Sequence, residues 1–171
     1  VNSVGDKLFV ADRYTVPPQA PDVTRTLWRS SGSGGVFRVM DEDTVYPAGD
    51  TGTQNISSPN HTRVNNGRPG VSSPDIVLRA VNGALSGIFT TSIEGRQVVA
   101  SGSTTTPFGG VYSFIDAADI NDDGQVAFFA RANGRPGVFL FDIASGTTVP
   151  VFATQSIVDL DNDAVGTACF E

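Results

Sequence analysis

The segment from Asn121 to Asp142 reads NDDGQVAFFARANGRPGVFLFD. It contains two short runs of β-branched and aromatic residues, Gln125 to Arg131 and Gly137 to Asp142, on either side of an Asn-Gly pair. Asn-Gly is the dipeptide preferred in the tight type I′ turn that joins two antiparallel strands. The segment therefore predicts a β-hairpin, preceded by a polar turn at Asn121 to Gly124.

The same alternation of short strand-like runs and turn residues covers the rest of the chain. The chain has 171 residues with 19 Gly and 10 Pro, and no stretch repeats apolar residues at helical spacing over three turns. Runs bounded by Gly, Pro, Asn and Asp are typical of strands joined by turns. Further runs of this kind are 7–11, 35–40, 75–81, 87–91 and 97–100. We therefore expect an all-β protein and, at this length, a single domain over residues 1–171.

Internal repetition is the strongest pattern in the sequence. Three anchors, Gly35-Val36-Phe37, Gly87-Ile88-Phe89 and Gly137-Val138-Phe139, each follow a loop, open a strand and lie roughly 50 residues apart. These anchors near 35, 87 and 137 define the repeats. The polar segments 13–34 and 50–74 are then expected to be long surface loops.

Both ends of the chain copy the turn and strand that begin at Asn121. Residues 2–9 read NSVGDKLF and residues 162–169 read NDAVGTAC, against NDDGQVAF at 121–128. The C-terminal copy is the poorer of the two. The chain therefore has material for about three and a half antiparallel repeats of strand, turn and strand.

Residues 121–128 match the Asn-x-x-Gly-x-x-Ala-Phe motif of the choice-of-anchor tandem-repeat proteins, which are exported β-repeat proteins. The chain resembles that family well over about 98–142; the second copy has Val71 and Pro74 where the motif has Asn and Gly. The resemblance implies a secreted or surface-displayed protein with propeller-like blades, one per repeat, and supplies no catalytic residues. The sequence begins at Val1 with no basic and apolar leader, which suits a processed or partial exported chain.

The number of repeats predicts how the chain behaves in solution. Propellers typically close with about four to eight blades, so three and a half repeats do not make a closed propeller. The segment from Leu160 to Glu171 begins a blade that it does not finish, and an unpaired strand edge invites pairing with another chain. We therefore expect assembly with copies of itself, as an oligomer or a head-to-tail fibre. The alternative is a β-sandwich or barrel whose strands all pair within one chain.

Two acidic clusters have the alternate-residue spacing of calcium loops. They are Asp119, Asn121 and Asp123, and Asp159, Asp161 and Asp163. Oxygen ligands at alternate positions can surround one calcium ion, but the acidic ligand expected at the twelfth position of the first loop would fall on Ala130. Asn and Asp side chains also cap turns between strands, and that interpretation is favoured over a calcium site.

The hexapeptide Asn-Gly-Arg-Pro-Gly-Val occurs twice, at 66–71 and at 133–138. A binding tip that displays Arg68 and Arg135 is one interpretation. A hairpin turn used twice explains the Asn, both glycines and the proline without any ligand, and is favoured.

Three positions are candidates for covalent modification. Asn55 and Asn60 each begin an N-glycosylation sequon in the predicted loop 50–74, although a chance match is favoured. Cys169 is the only cysteine, so no disulfide forms within the chain. A buried thiol is favoured over pairing between chains.

Charge and motifs argue against several classes of function. A net charge of −7 repels the phosphates of nucleic acids. The longest apolar runs, such as Val126 to Ala130, are far shorter than the roughly 20 residues of a membrane-spanning helix. His61 is the only histidine, and neither a nucleophile elbow nor a phosphate-binding loop is present, so we do not expect an enzyme.

We therefore expect an extracellular or cell-surface structural protein that assembles with itself through terminal β-strands. A carbohydrate- or ligand-binding β-repeat module is the alternative. No cofactor other than calcium is indicated.

Overall fold

The computed structural model describes residues 2–14, 23–40, 45–47, 53–55, 57–71, 73–82, 85–153, 157–158 and 168–169. Every regular element in these residues is a β-strand, so the described chain is all-β as predicted. The strands are β1 (Lys7–Tyr14), β2 (Val23–Ser30), β3 (Val36–Met40), β4 (Val45–Pro47), β5 (Thr53–Asn55), β6 (Ser57–Val64), β7 (Ile76–Asn82), β8 (Leu85–Ser92), β9 (Gly95–Ser101), β10 (Tyr112–Ile120), β11 (Gln125–Ala132), β12 (Arg135–Asp142), β13 (Thr147–Ala153), β14 (Ile157–Val158) and β15 (Ala168–Cys169). Within the described ranges, no helix is long and apolar enough to cross a membrane.

The strands form three larger antiparallel sheets. Sheet 1 has the order β1-β2-β3, sheet 2 the order β6-β7-β8-β9, and sheet 3 the order β10-β11-β12-β13. Two short pairs, β4 with β5 and β14 with β15, complete the described topology. Each sheet is a meander of consecutive strands, and none of the described sheets closes on itself.

The hairpin predicted from residues 121–142 is present in sheet 3. β11 and β12 pair in continuous register from Gln125 opposite Asp142 to Ala132 opposite Arg135. The turn residues Asn133 and Gly134 have φ values of 53° and 78°. Positive φ at both central positions is what a type I′ turn requires, which explains the Asn-Gly pair.

All three sheets share one irregularity between their last two strands. The register shifts between Leu27 and Trp28 in sheet 1, between Ile88 and Phe89 in sheet 2, and between Val138 and Phe139 in sheet 3. The repeated bulge makes β2, β8 and β12 equivalent, and likewise β3, β9 and β13. Sheet 1 therefore has no described counterpart of β6 and β10, the first strands of the other sheets.

The anchor at Gly35 is not equivalent to the anchors at 87 and 137, because it lies one strand later in its sheet. Gly35 precedes β3, whereas the equivalent of β8 and β12 is β2, where Thr26-Leu27-Trp28 holds the anchor position. Burial agrees, because Phe37 is 55% exposed while Phe89 and Phe139 are buried. The local similarity of Gly-Val-Phe to Gly-Ile-Phe reflects composition, not an equivalent place in the sheet.

The segments predicted as long loops contain strands. β2 lies within 13–34, and β5 and β6 lie within 50–74. Among the described strands, β6 pairs with β7 alone, and its register is broken by shifts on both sides of Asn60. An edge strand tolerates proline and polar residues that a central strand excludes, so the sequence of β6 resembles that of a loop.

Two apolar clusters join the three sheets. The first contains Leu27 and Met40 of sheet 1 and Ile76, Leu78, Ala80 and Phe89 of sheet 2. The second contains Val77, Ile88, Val99 and Ala100 of sheet 2 and Tyr112, Ile115, Val126, Phe128, Ala130, Ala132, Phe139, Phe141 and Ile143 of the third repeat. Successive residues of β7 thus point to opposite clusters, and sheet 2 is packed on both faces.

Candidate functional site: the asparagine ladder

Three asparagines open turns of the same geometry. Each donates its backbone N–H to the carbonyl of the residue that closes the turn, at 3.1–3.2 Å. Each accepts, through Oδ1, the backbone N–H of that same residue at 2.8 Å. The pairs are Asn2 with Asp6, Asn65 with Asp75, and Asn121 with Gln125. The amide Nδ2 then donates to the closing side chain at 3.1, 3.0 and 2.9 Å.

The same asparagines also link one repeat to the next. Nδ2 of Asn2 donates to the carbonyl oxygen of Asn65 at 2.7 Å, and Nδ2 of Asn65 donates to the carbonyl oxygen of Asn121 at 3.0 Å. Asn65 is buried and Asn121 is exposed. We call these three residues and their bonds the asparagine ladder. It has a direction, because the donor always belongs to the earlier repeat.

A second line of hydrogen bonds runs beside the ladder through the next residue of each turn. The backbone N–H of Ser3 donates to Oδ1 of Asn66 at 2.7 Å. Asn66 in turn donates its backbone N–H and its Nδ2 to the Asp122 carboxylate at 2.8 and 2.7 Å. These bonds from Asn66 hold the pKa of Asp122 below its ordinary value of 3.8.

The second turn was missed in the sequence because residues inserted between Asn66 and Asp75 make it longer than the turns at Asn2 and Asn121. The motif comparison placed the second copy at Val71 and Pro74, whereas the structure places it at Asn65 and Asp75. Despite the insertion, Asn65 and Asp75 make the same hydrogen bonds as the first and last residues of the other two turns. A search that allowed an insertion before the strand Ile76–Asn82 would have found Asn65-Asn66.

An ion-pair cluster holds this insertion against the second repeat, and its arginine side chain passes over Gly124 of the third repeat. Nε of Arg68 lies 2.9 Å from Oδ2 of Asp75, whose side chain is fully buried, and Nη2 of Arg68 also bonds Glu94. The bond from Arg68 holds the pKa of Glu94 below its ordinary value. A Cβ added at Gly124 would collide with the Arg68 side chain, and Gly124 has φ 79°. Glycine at 124 therefore allows both the turn and the crossing arginine.

The two copies of the hexapeptide have different structures. Asn133-Gly134 forms the hairpin turn between β11 and β12, and Arg135 is exposed. Asn66-Gly67 lies in the longer connection between β6 and β7, and the Arg68 side chain is only 9% exposed. Both copies therefore join antiparallel strands, but the type I′ turn is present only at 133–134, because Asn66 lacks the positive φ of Asn133 and the tight turn at 66–71 is instead closed by the N–H of Val71, which donates to the carbonyl of Arg68 at 2.9 Å.

The first candidate calcium site, around Asn121, forms the turn between β10 and β11. Oδ1 of Asn121 accepts the backbone N–H groups of Asp123 and Gln125, and the side chain of Asp119 is 77% exposed. Across the described chain no group of three His, Cys, Asp or Glu residues is arranged to hold a metal ion. The second candidate, Asp159, Asp161 and Asp163, lies outside the described residues.

The modification candidates are located only in part. Asn55 ends β5 and Asn60 lies in β6, so both asparagines are in strands and not in the predicted loop. Cys169 ends β15. Their side chains lie outside the described part of the chain.

The two end sheets leave apolar residues exposed. On sheet 1, Phe9 is 42% exposed. On sheet 3, Phe114 and Phe129 are 47% and 37% exposed and contact each other edge to face at 6.1 Å. Arg131 lies over the Phe114 ring at 5.8 Å from its centroid.

A cleft of about 360 Å³ lies between sheets 1 and 2, at the end where β8 turns into β9. Arg29, Arg38 and Arg96 line it together with Phe37 and Ile93. Arg29 is paired with the buried Asp6 at 3.3 Å. Arginines around an open cleft favour an anionic ligand.

Comparison with protein-family models, with curated proteins and with solved structures found no match. The resemblance to the choice-of-anchor repeat proteins therefore stays a prediction, and the geometry of the chain carries the functional argument.

Proposed function

We propose that this chain is a secreted or cell-surface structural protein whose propeller-like β-repeats assemble into an oligomer or fibre through strand edges. The observation that carries this proposal is that the first strand of the chain has fewer strand partners than its equivalents in the other two sheets. β7 and β11 have a strand partner on each side, whereas β1 pairs with β2 alone among the described strands.

The edge of β1 that no described strand covers is suited to strand addition. Lys7–Tyr14 pairs with β2 over its full length, so the strand is regular and long. A regular edge strand presents a row of N–H and C=O groups that another strand can pair with. Phe9, on this strand, offers exposed apolar surface beside that edge.

The direction of the ladder supports a head-to-tail arrangement. Each repeat donates to the following one, so the two ends of the stack are different surfaces. A contact between different surfaces does not pair two copies and stop; it continues into a ring or a filament.

The test is the mass of the native particle by light scattering, with electron microscopy of the same sample. We expect oligomers or filaments, and a smaller mass for Phe9→Glu, because a charge beside β1 opposes docking. Val111→Glu is the matched control, since Val111 is 46% exposed and directly precedes β10 in the third repeat. A monomer at all concentrations would contradict the proposal.

The arginine-lined cleft favours a second candidate function, a module that binds an acidic carbohydrate. Its size suits a small ligand. A glycan array with the monomeric protein would then show binding to acidic glycans that Arg96→Ala abolishes. Binding to neutral glycans alone, or no binding, would remove this candidate.

A further inference from the structure

The three sheets are stacked in chain order, so each has a front face toward the next repeat and a rear face toward the previous one. Val77 and Ile88 of sheet 2 lie on its front face and pack in the apolar cluster with sheet 3. Leu78 and Phe89 lie on its rear face and pack in the cluster with sheet 1. The stack therefore ends in the rear face of sheet 1 on one side and in the front face of sheet 3 on the other.

The rear face of sheet 1 presents the same kind of cross-strand pair that sheets 2 and 3 bury. Phe9 lies opposite Trp28, and Phe9 comes three residues after the residue that closes its turn. The pairs at the same place in the other two sheets are Leu78 opposite Phe89 and Phe128 opposite Phe139. Those four side chains are at most 2% exposed, whereas Phe9 is 42% exposed and Trp28 is half-buried. The rear face of sheet 1 is therefore an apolar packing surface that is still partly open.

The front face of sheet 3 is open in the same way. At the shared bulge, the front faces of sheets 1 and 2 each carry one pair that the next sheet buries: Leu27 with Met40, and Ile88 with Ala100. Val138 and Phe152 are the third such pair and are only half-buried. Phe129 and Val149 share this face and are 37% and 53% exposed.

The two ends of the asparagine ladder carry complementary hydrogen-bonding groups. Nδ2 of Asn2 and of Asn65 each make one hydrogen bond inside the turn and one to the next repeat. Among the described residues, Nδ2 of Asn121 makes only the bond inside its turn, and the backbone N–H of Asp122 has no partner. The carbonyl of Asn2 accepts no bond from another asparagine of the described chain, although the carbonyls of Asn65 and Asn121 do. Donors are thus left at the front end and an acceptor at the rear end.

We propose that the front face of sheet 3 packs on the rear face of sheet 1 of a second copy, so that copies stack as the repeats do within one chain. Nδ2 of Asn121 then donates to the carbonyl of Asn2 of the second copy. The backbone N–H of Asp122 donates to Oγ of Ser3 of the second copy. Phe9 of that copy takes the place against sheet 3 that Phe128 has against sheet 2.

This inference rests on the proposed self-assembly and assigns it to a contact between sheet faces, not to the edge of β1 alone. The two surfaces are different, so each contact leaves one front face and one rear face unused. A contact of this kind continues into a ring or a filament. Blocking the front face of one copy and the rear face of another should therefore stop the assembly at two chains.

Two variants that each block one face test the proposal. Phe129→Glu places a charge on the front face of sheet 3, and Phe9→Glu places one on the rear face of sheet 1. By light scattering we expect each variant alone to be a monomer. An equimolar mixture should give particles of two chains, because each variant keeps the face that the other needs. Ile93→Glu is the control: Ile93 is 63% exposed on the turn between β8 and β9 of the middle sheet, so this variant should assemble like the unmodified chain.

A further substitution tests the hydrogen bonds between copies. Asn121→Asp removes the free donor but keeps the oxygen that caps its own turn. Introduced into the Phe9→Glu copy, it should raise the dissociation constant of the two-chain particle about tenfold. Asn133→Asp makes the same chemical change at the exposed hairpin tip between β11 and β12, and should leave the dissociation constant unchanged.

The outcomes separate this inference from the proposed function. Phe129→Glu that assembles like the unmodified chain, or a mixture that stays monomeric, would overturn the stacking of faces while leaving self-assembly in place. An unmodified chain that is monomeric at all concentrations would overturn both. Near-ultraviolet circular dichroism identifies a variant that fails to fold, and Val149→Glu, on the same front face, then replaces Phe129→Glu.

Discussion

Asn65 joins two repeats through one buried side chain. Its Nδ2 donates to Asp75 and to the carbonyl of Asn121, and its Oδ1 accepts from the backbone N–H groups of Gly67 and Asp75. A buried group left without its partner costs far more than an exposed hydrogen bond contributes. The stability of the stack therefore depends strongly on this one residue.

Asn65→Ala should lower the free energy of unfolding by about 2–4 kcal/mol, because four hydrogen bonds are lost and the partner groups stay buried. Urea denaturation measures this. Asn133→Gly is the control, since Asn133 occupies a turn with φ 53° that glycine adopts freely, and we expect a change below about 1 kcal/mol. Equal effects of the two substitutions would contradict the role of the ladder.

Glu94 gives the stability a pH dependence of known sign. Its pKa in the folded chain lies below the ordinary value of 4.5, chiefly because Arg68 donates to it. A lowered pKa stabilises the fold above the unfolded value, and this stabilisation is lost as the pH falls below about 4.5.

We expect the melting temperature to fall between pH 5 and about pH 3, and to fall less in Glu94→Gln, which has no carboxylate to protonate. Asp123→Asn is the control, because only its backbone N–H has a described hydrogen bond. If the melting temperature of Glu94→Gln falls with pH as steeply as that of the unmodified chain, the Arg68–Glu94 pair does not contribute to the pH dependence.

Calcium should have little effect on stability. Asn121, the central residue of the first candidate site, uses Oδ1 to cap its own turn through Asp123 and Gln125. We therefore expect the melting temperature to change by less than about 2 °C between excess calcium and excess chelator. A larger rise with calcium, abolished by Asp119→Asn, would restore the metal-site hypothesis.

At the scale of elements, the hexapeptide at 66–71 and 133–138 shows one sequence in two roles. In the hairpin, Asn-Gly makes the turn and the arginine points to solvent. In the insertion, the arginine is held by Asp75 and Glu94. The two arginines are therefore a matched pair within one chain.

Arg68→Ala should destabilise the protein by about 3 kcal/mol, because it leaves the fully buried carboxylate of Asp75 without its cation. Arg135→Ala should change stability by no more than about 0.5 kcal/mol, since Arg135 is exposed. Denaturant unfolding of both variants measures the difference. A large loss from Arg135→Ala would indicate that the tip has a structural partner.

At the scale of the whole molecule, sheet 2 is the centre of the stack. Both of its faces are covered by apolar clusters, and β7 and β8 each have two strand neighbours. Sheet 1 is covered on the side of Leu27 and Met40, while Phe9 on the other side is exposed. Stability should therefore decrease from the middle of the stack toward its first sheet.

Hydrogen exchange followed by mass spectrometry should show this gradient. Peptides from Ile76–Asn82 should exchange most slowly. Peptides from Lys7–Tyr14 should exchange much faster, because β1 has one partner among the described strands. Strong protection of both edges of β1 would instead mean that another strand covers it, which is the outcome expected in assembled particles.

The sequence alone determined the features that depend on neighbouring residues. Asn-Gly between two β-branched runs predicted the hairpin of β11 and β12, and the two similar turns at Asn2 and Asn121 were found by their spacing. Turn chemistry and the period of a strand act within a few residues, so they are visible in a linear sequence.

Only the tertiary structure decided which copies are equivalent and what joins them. Residues inserted between Asn66 and Asp75 hid the turn at Asn65, and the anchor at Gly35 lies one strand away from the place of the anchors at 87 and 137. The ladder and the Arg68–Asp75 pair join residues whose contacts depend on how the sheets stack. The stacking of sheets depends on whole sheet faces. If a repeat is assigned to the wrong strand, every predicted contact between sheets changes, although the turn motifs and the alternation within each strand stay the same.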